Sequence, residues 1–164
     1  MQIPPSAIEA AQLIDRIERL SRSGVTMHGL NPAQWEALRY LRRANRFSRT
    51  PAGLASYLGS TRGTVSQTLI ALEEKGFVSR RASERDRRSV DLGLTEKGLA
   101  ALGDDPLLGL AADVAEGAGG DPSAVVELLK GALRATLRRN GGRPFGVCRT
   151  CRHFRDGGGA GQAP

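Results

Sequence analysis

Residues 50–76 read TPAGLASYLGSTRGTVSQTLIALEEKG, and this stretch decides the fold. It opens with Thr50-Pro51, a capping hydroxyl followed by a proline that fits the first position of a helix. Gly59 ends that helix, and a second helix begins one or two residues later, with Ser60 or Thr61 as its cap. Two short helices joined by so tight a turn must cross at a steep angle. The stretch therefore predicts a helix-turn-helix.

The second helix of the pair has an apolar and a polar face. Val65, Leu69 and Leu72 recur at helical spacing, so we expect them to face the core. At about 100° per residue, the side chains that then project away from the core are Gly63, Thr64 and Gln67. A glutamine can pair with adenine through two hydrogen bonds, and a threonine can touch a thymine methyl group. The helix is thus a candidate for reading the DNA major groove, but on its own it fits a solvated polar face equally well.

Other polar residues near the start of this helix extend the candidate surface. Arg62 in the first turn can reach a phosphate or a guanine. Threonine hydroxyls can donate to phosphates, and the threonines here are Thr61, Thr64 and Thr68. Base-reading and phosphate-binding groups are therefore expected on one helix.

A strongly basic hairpin follows. Phe77–Arg81 predicts one strand, and Val90, Leu92 and Leu94 alternate with polar or small residues as in a second strand. The residues between 80 and 88 include the basic Arg80, Arg81, Arg85, Arg87 and Arg88 and the acidic Glu84 and Asp86. A cationic loop beside a DNA-reading helix can follow a phosphate backbone or enter the minor groove. The hairpin is therefore predicted to be the wing of a winged helix.

Helices are also predicted on both sides of this module. Asn31-Pro32 starts one before it, and Thr95 caps one after it. The side chains expected to face inward are Trp35, Leu38 and Leu41 in the first helix and Leu99 and Leu102 in the second. The winged-helix module is thus expected to span roughly Leu30 to Leu102.

Amphipathic helices are predicted outside the module. Ser6-Ala7-Ile8-Glu9 has the form of a capping box for a helix that runs to about Ser21. Leu107–Glu116 predicts another helix, and Asp121-Pro122 starts a last one that ends at Gly141-Gly142. The apolar positions are Ile8, Ala11, Leu13, Ile14, Ile17 and Leu20 in the N-terminal helix and Val125, Leu128, Leu129, Ala132, Leu133 and Leu137 in the last helix. A single winged helix cannot cover so many, so we expect a dimer interface.

The composition limits the classes of function. The chain has 164 residues, a hydrophobic fraction of 40% and a formal net charge of +7, which suit one core and a polyanionic partner. No apolar run approaches the roughly 20 residues of a membrane span, and the N-terminus does not resemble a secretory signal. The aromatic content of 4% disfavours a base-stacking single-strand binder. We therefore expect a cytoplasmic protein that binds double-stranded DNA and no membrane.

Six short motifs resemble the MarR family of winged-helix regulators, in the family's order and spacing. They are Leu30-Asn31-Pro32-Ala33-Gln34-Trp35, Leu54-Ala55-Ser56-Tyr57-Leu58-Gly59, Thr64-Val65-Ser66, Leu72-Glu73-Glu74-Lys75-Gly76-Phe77-Val78, Asp86-Arg87-Arg88-Ser89 and Leu94-Thr95-Glu96-Lys97-Gly98. The motifs cover about half of the chain, and the flanking helices fit the family's dimerisation regions. The resemblance implies a mainly α fold with a small β-hairpin wing, that is, a winged helix-turn-helix plus terminal dimerisation helices.

The resemblance also implies partners and site residues. The family forms homodimers that bind palindromic operators, and it is often controlled by small aromatic or lipophilic anions held between the DNA-binding and dimerisation regions. The family's recognition-helix contacts fall here on Thr61, Arg62, Gly63, Thr64 and Gln67. The family's wing element falls on Asp86 and Arg88, a pair that braces the loop, while the arginine tip meets the minor groove. No cofactor is implied.

The C-terminal tail carries a separate signal. We divide the chain into a winged-helix domain with its dimerisation helices, residues 1–142, and a tail, residues 143–164, whose Gly-rich end is predicted to be flexible. Cys148 and Cys151 form a CxxC with His153 close by, which is half of a zinc site. A zinc site, a redox-active dithiol and two inert thiols all remain open, and the metal ligands are unknown.

Alternative functions follow from these features. The chain has no Gly-rich phosphate loop, no G-x-S-x-G and no H-E-x-x-H, so we expect no enzyme. A thiol- or metal-responsive transcriptional sensor that uses the CxxC is the main alternative. A protein-interaction module that has lost DNA binding is a third, and the arginines of the hairpin count against it.

Overall fold

The computed structural model describes residues 2–22, 27–83 and 89–141. Within these ranges the helices are α1 (Pro5–Arg22), α2 (Pro32–Arg43), α3 (Pro51–Leu58), α4 (Arg62–Glu74), α5 (Glu96–Ala101), α6 (Leu107–Gly117) and α7 (Ser123–Arg139). The strands are β1 (Val78–Ala82) and β2 (Val90–Leu94), and short 3-10 turns occupy Met27–Gly29 and Leu102–Asp104. None of the described helices is long and apolar enough to cross a membrane. The mainly helical winged-helix fold expected from the sequence is confirmed.

The helix-turn-helix forms where the sequence predicts it. Thr50 Oγ1 accepts a hydrogen bond from the Gly53 N–H at 3.0 Å and caps α3. Gly59 ends α3 in the left-handed conformation, with φ of 60°, which glycine adopts without strain. Thr61 caps α4 by accepting from the Thr64 N–H at 3.2 Å. The choice between Ser60 and Thr61 is therefore settled in favour of Thr61.

One apolar cluster holds the winged helix together. It joins α2, α3 and α4 to the hairpin and to α5, and its fully buried members include Leu38, Leu41, Leu54, Val65, Leu69 and Leu72. At roughly 25 cal/mol per Å² of apolar surface removed from water, this burial is the main stabilising contribution to the module. The predicted core faces of α2 and α4 are confirmed.

The hairpin lies one residue further along the chain than predicted. β1 pairs with β2 in antiparallel register, with Val78 opposite Leu94 and Arg80 opposite Leu92. The Leu92 N–H also donates to the carbonyl oxygen of Arg49 at 2.7 Å. The segment that enters α3 is therefore fixed against the free edge of β2.

Two expectations were wrong. α1 begins at Pro5, so Ser6 lies inside the helix and does not cap it; the fixed φ of proline suits the first turn. Leu99 does not point inward but is 45% exposed, and the inward positions of α5 are Gly98 and Ala101. α5 lies so close to the hairpin that only a residue without Cβ fits beside the Phe77 carbonyl group, and this contact sets the rotation of the helix.

The outer helices differ from the rest of the chain. α1, α6 and α7 contain no buried residue, although each has an apolar face. The large apolar side chains that they expose include Ile8, Leu13, Leu20, Leu108, Leu128 and Leu133. Helices of this kind gain little stability in isolation, so these faces need a further partner.

Gly98 offers a test of the close approach between α5 and the hairpin. A Cβ at this position would lie 2.2 Å from the Phe77 carbonyl oxygen, a backbone atom. We expect Gly98→Ala to lower the free energy of unfolding by about 1–3 kcal/mol, despite the better helix propensity of alanine. Gly63→Ala is the control, because its Cβ would meet only Thr61 Oγ1, at 3.9 Å. Urea denaturation at one fixed protein concentration measures both, and equal stability of the two variants would contradict the close approach.

Candidate nucleic-acid interface and a cavity between helices

The polar face of α4 is exposed as the sequence predicts. Val65, Leu69 and Leu72 are buried against the core. The opposite side exposes five of the predicted site residues, namely Thr61, Arg62, Gly63, Thr64 and Gln67. A Cβ built on Gly63 meets almost nothing, so the first turn offers room for another molecule to approach the backbone. The geometry therefore presents small and hydrogen-bonding groups on one helix face.

The threonine hydroxyls of α4 are already hydrogen-bonded within the helix. Thr61 Oγ1 and Thr64 Oγ1 lie 2.9 Å apart and share a hydrogen bond. Thr68 is only partly exposed, and its hydroxyl donates to the Thr64 carbonyl oxygen at 3.1 Å. A phosphate contact from Thr68 would have to replace this bond. Thr68 is thus the least available of the predicted contacts on α4.

The structure brings the base of the wing together and ends before its tip. The Ser83 N–H donates to the Ser89 carbonyl oxygen at 3.0 Å and closes the hairpin. Arg80 Nη1 lies 3.8 Å from Glu73 Oε2, while Arg81 is exposed. The predicted wing residues Arg85, Asp86, Arg87 and Arg88 lie outside the described residues.

The end of α2 and the segment that follows it form a basic region that the wing-centred reasoning missed. No aspartate or glutamate occurs between residues 37 and 72, whereas this stretch contains Arg39, Arg42, Arg43, Arg46, Arg49 and Arg62. The signal was present in the sequence as a gap between acids. Arg43 Nη2 donates to the Tyr57 hydroxyl at 3.2 Å and so ties this region to the end of α3. Positive charge therefore extends from the wing to the first helix of the module.

Two lysines fix the C-terminal end of α4. Lys75 Nζ donates to the Gly29 carbonyl oxygen at 2.6 Å and to Gln34 Oε1 at 3.2 Å. Lys97 Nζ donates to the Lys75 carbonyl oxygen at 2.7 Å and lies 4.4 Å from the centre of the Phe77 ring. α4 is thereby held to the start of α2 and to α5.

A mostly apolar cavity of about 510 Å³ lies between α1, α2, α6 and α7. Its lining includes Ile14 and Ile17 from α1, Leu110 from α6 and Leu129 from α7. Trp35 of α2 also lines it and is 3% exposed. The volume falls within the usual range for small-molecule sites in proteins. No local pattern in the sequence could reveal this cavity, because it forms between elements more than 100 residues apart.

The charged groups at the cavity are paired. Arg22 Nε lies 2.5 Å from Glu18 Oε1, and its Nη2 lies 3.4 Å from Glu36 Oε1. Arg39 binds Asp105 through two hydrogen bonds, Nε to Oδ2 at 2.7 Å and Nη2 to Oδ1 at 2.5 Å. This second pair is the better shielded, since Asp105 is 8% exposed.

Asp105 also begins the outer part of the chain. Its Oδ1 accepts from the Leu107 N–H at 2.9 Å in the first turn of α6. Burial tends to raise the pKa of the Asp105 carboxyl, but the hydrogen bonds from Arg39 and Leu107 and the charge of Arg39 together hold that pKa below its ordinary value. The neighbouring Asp104 Oδ2 lies 3.0 Å from His28 Nε2. The sequence reasoning missed both pairs, because their members are 66 and 76 residues apart.

The described residues contain no metal site. Within 2–22, 27–83 and 89–141, no three His, Cys, Asp or Glu side chains lie close enough together to hold a metal ion. Cys148 and Cys151 lie outside these ranges. A zinc site, a redox pair and inert thiols therefore all stay open for the tail.

The comparisons with known proteins agree with this geometry. Residues 28–89 match the family model described as "MarR family". Over 70 residues the chain is 39% identical to the transcriptional repressor MprA of Escherichia coli K12, an alignment that covers 43% of this chain and 40% of MprA. The chain thus spans well under half the length of the curated relative. The resemblance inferred from the six motifs is confirmed.

Solved structures share the fold over most of the chain. The transcriptional regulator BldR of Sulfolobus solfataricus matches with a TM-score of 0.64 and 23% identity, covering 84% of this chain and 99% of BldR. The MepR–DNA complex of Staphylococcus aureus matches with a TM-score of 0.62 and 19% identity, covering 85% of this chain and 99% of MepR. The outer helices as well as the winged helix therefore follow a known architecture.

Acid titration tests the Arg39–Asp105 pair. Because the pKa of Asp105 is lowered in the folded chain, its stabilising contribution is present above its ordinary value of about 3.8 and is lost as the pH falls through the lowered value. We expect the free energy of unfolding to fall below about pH 4, and to fall less steeply in Asp105→Asn. Asp113→Asn, which removes an exposed carboxylate from α6, should keep the slope of the unchanged chain. Urea titrations between about pH 5 and pH 3 measure this, and identical slopes in all three proteins would contradict the assignment.

Proposed function

We propose that this chain, which matches the MarR family over residues 28–89, is a sequence-specific DNA-binding transcriptional regulator and not an enzyme. The observation that carries the proposal is the exposed polar face of α4, set in a winged helix whose residues 37–72 contain six arginines and no acid. A helix of this kind can enter the major groove while the arginines neutralise phosphates. MprA is a transcriptional repressor, and MepR has been solved bound to DNA, which supports the same role here. Such a regulator acts on cytoplasmic DNA.

The contacts divide into base-reading and backbone groups. Gln67 and Thr64 face the bases, Arg62 reaches a guanine or a phosphate, and Gly63 lets the helix approach closely. Thr61 and Thr68 lie toward the phosphates. The wing residues proposed to follow the backbone or enter the minor groove are Arg85, Asp86, Arg87 and Arg88, with Asp86 bracing Arg88.

We also propose a homodimer that binds a palindromic operator. Several exposed apolar side chains of the outer helices do not line the cavity, and they include Ile8, Leu20, Leu108, Val126 and Leu133. Joined across a two-fold axis, these residues would bury surface that water now contacts, and each protomer would present one α4 to one half-site. Ligand control completes the proposal: a small aromatic or lipophilic molecule in the cavity would bear on the joint between outer helices and winged helix.

Gln67→Ala tests the base-reading assignment. The operator is first selected from random duplex DNA. The variant should lose about 1–3 kcal/mol of binding free energy on the selected operator and little on random duplexes, because Gln67 reads bases and not phosphates. Fluorescence anisotropy at fixed salt measures both. Glu74→Ala, at the exposed far end of α4, is the control and should bind the operator at least as well as the unchanged chain. Equal losses of Gln67→Ala on both DNAs would remove Gln67 from the base contacts.

Leu133→Glu tests the dimer. Leu133 is 59% exposed on α7, and a carboxylate there would have to be buried on association. We expect a dimer at micromolar concentration in the unchanged chain and at least about tenfold weaker association in the variant. Phe47→Glu is the matched control, because Phe47 is 63% exposed between α2 and α3, away from the outer helices. Analytical ultracentrifugation decides the point, and a stable monomer of the unchanged chain would refute both the dimer and the palindrome.

A further inference from the structure

The cavity between α1, α2, α6 and α7 has no charge left to offer a ligand. We infer that it selects an uncharged lipophilic molecule that carries a hydrogen-bond acceptor. The inference rests on the ligand control proposed above and names the chemical class of the ligand. It departs from the family resemblance, which implies small anions.

The charge argument starts from the described lining residues. Two of them are cationic, Arg22 and Arg39, and two are anionic, Glu18 and Glu36. Arg22 is held by both glutamates, and Arg39 is held by Asp105 just outside the lining. Each positive charge therefore already has a carboxylate partner within 3.4 Å.

An anion in the cavity would have to displace one of these partners. Arg39 is the cation with the better geometry for a carboxylate, since it already binds one through both oxygens. To bind a second carboxylate it would have to leave Asp105, whose carboxylate would then stay buried without its counter-charge. The Leu107 N–H would be the one remaining donor to Asp105 among the described contacts. An uncharged ligand avoids this penalty and still gains the apolar contacts of the cavity.

Trp35 supplies the polar half of the recognition. It lines the cavity, and its indole Nε1–H is buried with no hydrogen-bond partner among the described residues. A buried donor without an acceptor is unfavourable, so a ligand oxygen that reaches it recovers a hydrogen bond. A carbonyl, ether or hydroxyl group on an apolar body has this property without carrying charge.

Two nearly isosteric probes separate the charge from the shape. 2-Naphthamide and 2-naphthoate share the same apolar body, and at pH 7.5 the amide is neutral whereas the acid is ionised. Isothermal titration calorimetry on the full chain should show binding of the amide at least about tenfold tighter than that of the carboxylate. Equal affinity, or preference for the carboxylate, would overturn the inference.

Asp105→Asn provides a gain of function that a merely structural role of Asp105 would not produce. The variant frees Arg39 while its amide oxygen can still accept from the Leu107 N–H. Its affinity for 2-naphthoate should rise about tenfold, and its affinity for 2-naphthamide should stay within about twofold. Glu127→Gln makes the same change of charge on an exposed carboxylate of α7 and should leave both affinities unchanged.

Trp35→Phe tests the acceptor. It keeps an aromatic ring in the lining and removes the N–H, so the affinity for 2-naphthamide should fall about fivefold. An unchanged affinity would overturn the acceptor requirement, and failure of the unchanged chain to bind either probe would overturn the whole inference. DNA binding is measured separately by anisotropy. A chain that binds operator and no probe keeps its proposed role as a regulator, and one that binds the amide and no DNA loses that role while the cavity assignment stands.

Discussion

The paired hydrogen bonds between Arg39 and Asp105 join the two halves of the described chain. Arg39 belongs to α2 in the winged-helix core, and Asp105 precedes the first turn of α6 and accepts a hydrogen bond from it. Arg39 also lines the cavity, so one guanidinium contributes to the core helix, the joint and the cavity wall. A planar, permanently charged group with two parallel donors is the side chain best suited to such a position, and a lysine could not replace its geometry.

The two halves are stabilised in different ways. The winged helix has its own core, in which α2, α3, α4, α5 and the hairpin bury their apolar faces against one another. The outer helices bury no residue within the described chain, and their contacts with the core are ion pairs, backbone caps and the partly covered cavity wall. The module is thus a rigid unit by packing, whereas the arrangement of α1, α6 and α7 depends on whatever else covers their apolar faces.

Local signals in the sequence were sufficient for the elements, and long-range contacts were not. Asn31, Thr50, Thr61 and Thr95 all cap the helices that the sequence places after them, because a cap depends on residues within one helical turn. Leu99 was misjudged because the contact that rotates α5 comes from Phe77, which lies more than 20 residues earlier. The cavity and the Arg39–Asp105 pair were missed for the same reason. The exposed face of α4 was predictable, since the helical period alone fixes it once the core triad is known.

Trp35 is the only tryptophan of the chain. Its indole is 3% exposed, lies in the cavity wall and stands 6.2 Å, ring centre to ring centre, from the imidazole of His28. The intrinsic fluorescence of this protein therefore arises from a single buried position. Its emission maximum, lifetime and quenching describe the cavity and the His28 contact, free of the averaging that several indoles would impose. Each molecule carries an optical probe at the joint between its winged helix and its outer helices, with no label attached.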